Sequence, residues 1–159
     1  MSIIVSSAFD SGNIQLLKAD GPVLDLAIRQ DAHSDFYQWF HFRLSGVRGQ
    51  ELTLRITNCG GSAYPMGWPG YQARVSTDRE TWVLADTSYA DGILTICAQC
   101  ETDLLWVAYF APYSMERHHD LIAALAELPQ VAHRTLGASI DGQPIDCLTI
   151  GDGPLTVWL

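Results

Sequence analysis

Apolar and polar side chains alternate along two runs between residues 38 and 58. Alternation with a period of two places every second side chain on the same face of a β-strand. One face would carry Phe40, Phe42, Leu44, Leu52, Leu54 and Ile56. The other face would carry Trp39, His41, Arg43, Thr53, Arg55 and Thr57. A short polar bridge with Gly46 and Gly49 joins the two runs, so we predict an antiparallel hairpin here.

Further strands are expected on both sides of this hairpin. Alternating or apolar runs occupy residues 3–5, 14–18, 23–29, 71–76, 82–89, 93–97 and 104–110. Asp91-Gly92 is a two-residue hairpin signal, and the almost wholly apolar run 104–110 is typical of a strand buried on both faces. Eight or nine strands without an intervening helix predict an antiparallel β-sandwich over residues 1–112.

Residues 58–70 interrupt the strand pattern with glycines and prolines, which disfavour strands. Three aromatic side chains lie in or next to this long loop, namely Tyr64, Trp68 and Tyr71. Such residues can close the open end of a sandwich or stack on a peptide or a sugar. Packing is the favoured interpretation and ligand recognition the alternative.

The pattern changes after residue 112. Ser114 is a candidate N-cap, and Glu116 suits the first turn of a helix. Leu121, Ile122, Leu125 and Leu128 then form a helical stripe that Pro129 ends. Residues 134–140 and 144–150 flank Asp141-Gly142 as another hairpin, and residues 155–159 form an apolar run. We expect residues 113–159 to be the start of a truncated α/β domain.

Composition and charge exclude some function classes. The chain of 159 residues has 48% hydrophobic and 17% charged residues, which is typical of a globular protein. Its net charge is −9, with Lys18 as its one lysine, so nucleic acid is not an expected partner. No signal peptide and no run of about 20 apolar residues is present. We predict a cytoplasmic protein that does not enter a membrane.

The sequence contains none of the common motifs for metal or nucleophilic chemistry. The five histidines lack the HExxH spacing of zinc hydrolases, and His118-His119 at a helix start would diverge. Cys97 and Cys100 form a single CxxC, whereas a structural zinc site needs a second ligand pair. Buried, reduced thiols are the favoured interpretation of all four cysteines, and a small metalloprotein using Cys97 and Cys100 is a weaker alternative.

Several short motifs follow one another along nearly the whole chain. They are Phe9–Asn13, Trp39–Arg43, Leu54–Asn58, Ser62–Tyr64, Pro112–Arg117, Leu136-Gly137 and Asp141-Gly142. In this order they resemble the N-terminal part of the cytosolic carboxypeptidase subfamily of zinc metallocarboxypeptidases, and the segment before the helix, Pro112–Arg117, is the most specific of them.

The resemblance implies that a β-sandwich at residues 1–112 precedes a carboxypeptidase-like α/β domain that begins at residue 113. In that family the zinc ligands, the arginines that bind the substrate carboxylate and the general-base glutamate follow a strand like residues 155–159. No catalytic residue or metal ligand is therefore assigned to this chain, which is expected not to be an enzyme by itself. The resemblance implies zinc only for the full-length protein, which would remove C-terminal residues from peptides or proteins, such as glutamates in the manner of tubulin deglutamylases.

The leading hypothesis is therefore a non-catalytic N-terminal domain that supports folding and shapes substrate access, with the catalytic domain as its partner in the same polypeptide. The candidate interdomain or ligand contacts are Tyr64, Trp68, Tyr71, Tyr113 and Arg117. The alternative is a free-standing sandwich that binds peptide or glycan through the 58–71 loop. Because residues 134–159 would lack the sheet they should join, we also expect this chain to self-associate.

Overall fold

The computed structural model describes residues 3–154. The chain divides into two compact units, Met1–Pro112 and Tyr113–Leu159, which are described in turn. Among the described residues, no helix is both long and apolar enough to cross a lipid bilayer.

The described part of the first unit, residues 3–112, contains ten strands in two five-stranded sheets. In spatial order the first sheet contains β1 (Ile4–Ser6), β4 (His41–Ser45), β10 (Leu104–Ala108), β6 (Arg74–Ser76) and β7 (Val83–Leu84). In spatial order the second sheet contains β2 (Gln15–Asp20), β3 (Val23–Ala27), β5 (Glu51–Ile56), β9 (Ile93–Gln99) and β8 (Asp86–Ala90). All neighbouring strands are antiparallel except β3 and β5, which are parallel.

Apolar side chains from both sheets form one core, which makes the unit a β-sandwich. Phe42 and Leu44 of β4 are fully buried, as are Leu54 and Ile56 of β5. Each lies one residue from a more exposed neighbour, as the alternation predicts. The prediction of a mainly β sandwich is confirmed, with the one parallel pair as a difference.

The predicted hairpin over residues 38–58 is wrong in its pairing. β4 pairs with β1 and β10, whereas β5 pairs with β3 and β9, so the polar bridge crosses from one sheet to the other. The apolar faces of the two strands were assigned correctly because both point into the core. The alternation of apolar and polar residues shows which face of a strand is buried. It does not show whether two strands pair side by side in one sheet or lie in opposite sheets of a sandwich, because the pattern is identical in both cases.

The Asp91-Gly92 hairpin is confirmed. β8 and β9 are antiparallel, with Ala90 opposite Ile93 across the two-residue turn. Asp91 and Gly92 have φ values of 52° and 80°, the positive values that a type I′ turn needs at both central positions.

Strand β10 is less enclosed than its sequence suggests. Leu105 and Val107 point into the core and are buried, but Leu104 and Trp106 are only half-buried. The expectation of burial on both faces therefore holds for Ala108 but not along the whole strand. The loop 58–70 is confirmed as irregular and contains two short 3-10 turns, Cys59–Gly61 and Pro65–Gly67.

The second unit contains α1 (Met115–Ala126) followed by the hairpin of β11 (Val131–Ala138) and β12 (Pro144–Ile150). Ser114 is the N-cap as predicted, because its Oγ accepts a hydrogen bond from the Arg117 N–H. The Asp141-Gly142 hairpin is also confirmed. The predicted strand at residues 155–159 lies outside the described residues.

Candidate functional site

Side chains of the early motif Phe9–Asn13 tie together three segments of the first unit. The Asn13 side chain donates to the carbonyl oxygens of Arg29 and Trp39 at 3.0 and 3.1 Å and accepts from the Arg29 backbone N–H at 3.2 Å. The Trp39 indole N–H donates to the Ser11 carbonyl at 2.7 Å. The Asn58 side chain makes similar contacts: its Oδ1 accepts a hydrogen bond from the Ile28 N–H, and its Nδ2 donates one to the Ile28 carbonyl oxygen. These motif residues therefore fix loop geometry at the strand ends.

His41 is buried on the outer side of the first sheet. Although the alternation places it opposite the core face, the rings of Phe9, Trp39 and Trp82 surround it, with centroids 4.9 to 6.2 Å away. Its Nδ1 lies 3.0 Å from Ser11 Oγ, and its buried Nε2 has no hydrogen-bond partner among the described residues. Burial, reinforced by the nearby charge of Arg79, lowers the pKa of His41 to about 4.

Trp68 belongs to the core rather than to an open recognition surface. Its side chain is fully buried, and its indole N–H lies 3.0 Å from the Cys59 carbonyl and 2.8 Å from Ser62 Oγ. It contacts the rings of Phe40 and Tyr71 at centroid distances of 6.4 and 5.3 Å. In this structure Trp68 is not accessible to a ligand, and the packing interpretation of this residue is the one the geometry supports.

Tyr71 and Tyr64 occupy different environments at the same end of the sandwich. The Tyr71 ring stacks on Tyr109 at 5.0 Å, and its hydroxyl donates to the Tyr109 carbonyl. Burial raises the pKa of the Tyr71 phenol well above its usual range. The Tyr64 side chain is 61% exposed, while its backbone is held by the amide of Gln38. Of the three predicted loop aromatics, Tyr64 is the exposed one.

An open pocket of about 380 Å³ lies next to Tyr71. We call it the Arg74 pocket, and it is lined by Gly70, Tyr71, Gln72, Arg74, Leu84, Tyr109 and Phe110. Leu84 and Phe110 are more than half exposed. Of these residues, Tyr71 is predicted from the sequence as a candidate contact, whereas Arg74 is not, because one arginine in a short alternating strand carries no motif.

Tyr113 and Arg117 lie at the start of α1 in the second unit. Both are exposed, and the Arg117 guanidinium carbon lies 5.5 Å from the centre of the Tyr113 ring, a cation–π geometry. The two residues therefore contact each other within the second unit, and what else they contact stays a prediction.

A histidine–aspartate–histidine cluster joins α1 to the hairpin. The Asp146 carboxylate lies 2.8 Å from His118 Nε2 and 2.8 Å from His133 Nε2, one imidazole on each oxygen. Hydrogen bonds from His133 and His118 lower the pKa of Asp146. The sequence predicts only that His118 and His119 diverge at a helix start, and the contact with Asp146 was missed because Asp146 is 28 residues away along the chain.

The cysteines do not form a common site. Cys59 and Cys100 are buried, Cys147 is partly buried and Cys97 is exposed, so the expectation of buried thiols is wrong for Cys97. Burial raises the pKa of Cys59 to about 12, which keeps that thiol protonated. Among residues 3–154, no three His, Cys, Asp or Glu side chains are grouped so that they could hold a metal ion.

Comparison with known proteins gives a consistent match. The model of the cytosolic carboxypeptidase N-terminal domain family matches residues 5–110. An uncharacterised protein of Zymomonas mobilis is 50% identical over all 159 residues, which are 42% of that protein's length.

Solved structures agree. A metallo-carboxypeptidase from Burkholderia cenocepacia has a TM-score of 0.91 and 37% identity, over 96% of this chain and 40% of that one. A metallo-carboxypeptidase from Pseudomonas aeruginosa, solved with (2-guanidinoethylmercapto)succinic acid, has a TM-score of 0.89 and 37% identity, over 95% and 41%.

The present chain thus spans about two fifths of the length of these relatives. Most of it, from residue 5 to residue 110, matches one family model, and two metallo-carboxypeptidases match its structure over 95% or more of its length. The chain belongs to the cytosolic carboxypeptidase N-terminal domain family.

Proposed function

We propose that this chain is the N-terminal part of a zinc carboxypeptidase that removes C-terminal residues from peptides or proteins in the cytoplasm. The observation that carries the proposal is the family match over residues 5–110 together with the alignment to metallo-carboxypeptidase structures over nearly the whole chain. Residues 1–112 are the supporting sandwich, and residues 113–159 open the catalytic domain. No catalytic step is assigned to the residues of this chain.

The proposed role of the sandwich is to support folding of the catalytic domain and to shape the approach of substrate. Its motif residues make structural contacts that support this role. The side chains of Asn13 and Asn58 form hydrogen bonds to backbone groups, and Trp68 lies in the core. The catalytic domain in the same polypeptide would be its principal partner.

Zinc content tests the assignment. The natural polypeptide that contains this chain should bind one zinc ion per molecule by elemental analysis, whereas the purified 159-residue chain should bind none. A full polypeptide without zinc, or a stoichiometric zinc ion on the 159-residue chain, would overturn the proposal.

The supporting role has its own test. We expect the natural polypeptide lacking residues 1–112 to be insoluble or inactive, and expression of residues 1–112 from a second plasmid to restore soluble material. A soluble catalytic part with full activity would refute folding support, although it would leave the family assignment intact.

A further inference from the structure

The Arg74 pocket lies on the outer face of the first sheet. Arg74 is opposite Ala108 of β10 on one side and Leu84 of β7 on the other. Opposed residues in a ladder share a face, and the next residue along the strand, Val75, is buried in the core. Arg74 therefore projects away from the core, between the exposed side chains of Leu84 and Phe110.

In the described part of the chain, not every hydrogen-bond donor of the Arg74 guanidinium has a partner. Its Nη1 is buried and has no hydrogen-bond partner among the described residues. A buried N–H group without a partner is costly, and the cost is larger when the group is charged. Asp25 Oδ1 lacks a hydrogen bond of good geometry too, but it has an ion-pair partner, Arg55 Nε at 3.2 Å. Arg74 has no such pair among the described residues.

A second unpaired polar atom lies along the same row of the sheet. His41 of β4 is opposite Ala108, so His41, Ala108 and Arg74 are neighbours across three adjacent strands. Both His41 Nε2 and Arg74 Nη1 are buried without a partner. The residues opposite Ala108 on both neighbouring strands therefore each carry a buried polar atom without a partner in the described structure, and of the two only Arg74 lines the pocket.

The chemistry of the pocket favours a carboxylate. A guanidinium presents a planar fork of N–H donors that matches the two oxygens of a carboxylate. Tyr109, Phe110 and Leu84 offer aromatic and aliphatic surface for the group that carries it. A volume of about 380 Å³ falls in the usual range for small-ligand sites and suits one amino-acid residue. A net charge of −9 on the chain disfavours polyanions.

We propose that the Arg74 pocket binds the carboxylate of a peptide, with the guanidinium of Arg74 pairing the carboxylate and Phe110 and Leu84 packing on the attached side chain. The choice of a peptide rests on the proposed function, whereas the preference for a carboxylate rests on the pocket.

The test is an NMR titration of the ¹⁵N-labelled 159-residue chain, which needs no peptidase activity and can fail independently of the proposed function. The probes are N-acetylphenylalanine, its uncharged amide and the α-amide of N-acetylglutamate. We expect saturable shifts at the amides of Gly70, Tyr71, Leu84 and Phe110 with a dissociation constant of about 1 mM for a carboxylate probe. The uncharged amide should bind at least about tenfold more weakly.

The two carboxylate probes distinguish the source. Tighter binding of N-acetylphenylalanine would assign the pocket to a peptide C-terminus, and tighter binding of the glutamate derivative would assign it to an acidic side chain. Equal binding of the carboxylate and its amide, or no saturable shift from any probe, would overturn the proposal.

Variants locate the site. Arg74→Gln should abolish the shifts, and Arg74→Lys should weaken binding because it keeps the charge but loses the fork. Arg48→Gln makes the same charge change on an exposed loop of the same unit, and its affinity should match that of the wild type. Comparable loss in Arg48→Gln would overturn the proposal, and the amide control in the wild type keeps the test valid if Arg74→Gln does not fold.

Discussion

At the scale of single residues, Trp68 shows how an aromatic residue in a glycine-rich loop can be structural. Its ring fills the end of the core, and its indole N–H lies within bonding distance of the Cys59 carbonyl and Ser62 Oγ. Tyr64, four residues earlier, projects into solvent. The two residues therefore form a matched pair for mutation.

We predict that Trp68→Ala lowers the free energy of unfolding by about 4 kcal/mol, because it leaves a cavity and removes the indole N–H donor of the Cys59 carbonyl and Ser62 Oγ. Tyr64→Ala should change it by no more than about 0.5 kcal/mol, as is usual for exposed positions. Urea denaturation followed by far-UV circular dichroism measures both. A Trp68→Ala protein as stable as Tyr64→Ala would show that the loop is not part of the core.

His41 gives a prediction about pH. Burial, together with Arg79, lowers its pKa from 6.5 to about 4, so the unfolded chain binds this proton first as the pH falls. Above pH 6.5, His41 is neutral in both the folded and the unfolded chain and does not lower the free energy of unfolding. Between pH 6.5 and about 4 the unfolded chain takes up the proton, and the free energy of unfolding decreases. The full loss corresponds to about 3 kcal/mol.

His41→Gln should remove that part of the pH dependence. Thermal unfolding of both proteins between pH 7 and pH 4 makes the comparison, and other titrating groups cancel in the difference. Parallel stability curves for His41→Gln and the wild type would mean that folding does not lower the pKa of His41.

At the scale of secondary-structure elements, the sequence predicts faces, turns and caps well because these depend on neighbouring residues. Asp91-Gly92 and Ser114 lie where the pattern places them. Strand pairing depends on residues far apart, so the separation of β4 and β5 into different sheets was not visible. The same reason hid Arg74 between β10 and β7, and the contacts of Asp146 with His118 and His133.

The N-cap of α1 allows a direct test. Ser114→Ala should destabilise the second unit by about 1 kcal/mol, because the Arg117 N–H loses its acceptor. Ser114→Thr keeps a hydroxyl and should retain most of the stability. Hydrogen exchange of the Arg117 amide should be faster in the alanine variant alone; equal exchange in both variants would argue against the cap.

Asp146 links two elements and gives a second pH prediction. Since its pKa is lowered by His133 and His118, its contribution to stability is present above its ordinary value of 3.8 and is lost as the pH falls through the lowered value. Asp146→Asn should therefore reduce the decrease in the stability of the second unit as the pH falls. An unchanged acid transition in Asp146→Asn would exclude this carboxylate as the cause.

At the scale of the whole molecule, the second unit exposes apolar surface on a two-stranded sheet. Leu136, Ile145 and Ile150 are each 48% exposed or more. Unpaired strands with apolar side chains favour edge-to-edge pairing between chains. We therefore predict that the 159-residue chain self-associates.

Light scattering at increasing concentration should show species larger than a monomer. Ile145→Lys should shift the chain towards the monomer, because a lysine on an edge strand opposes pairing. The exposed substitution Leu17→Lys on β2 of the first unit is the control and should leave association unchanged. A monomeric wild-type chain at high concentration would contradict the prediction.

The central claim concerns which polypeptide carries out the reaction. Mass spectrometry of peptides incubated with each protein measures it directly, since loss of one C-terminal residue gives a defined mass change. We predict successive loss of C-terminal residues with the natural polypeptide that contains this chain, inhibition by a metal chelator, and no cleavage by residues 1–159 alone. Hydrolysis by the 159-residue chain alone, or intact peptides after incubation with the natural polypeptide loaded with zinc, would contradict the account.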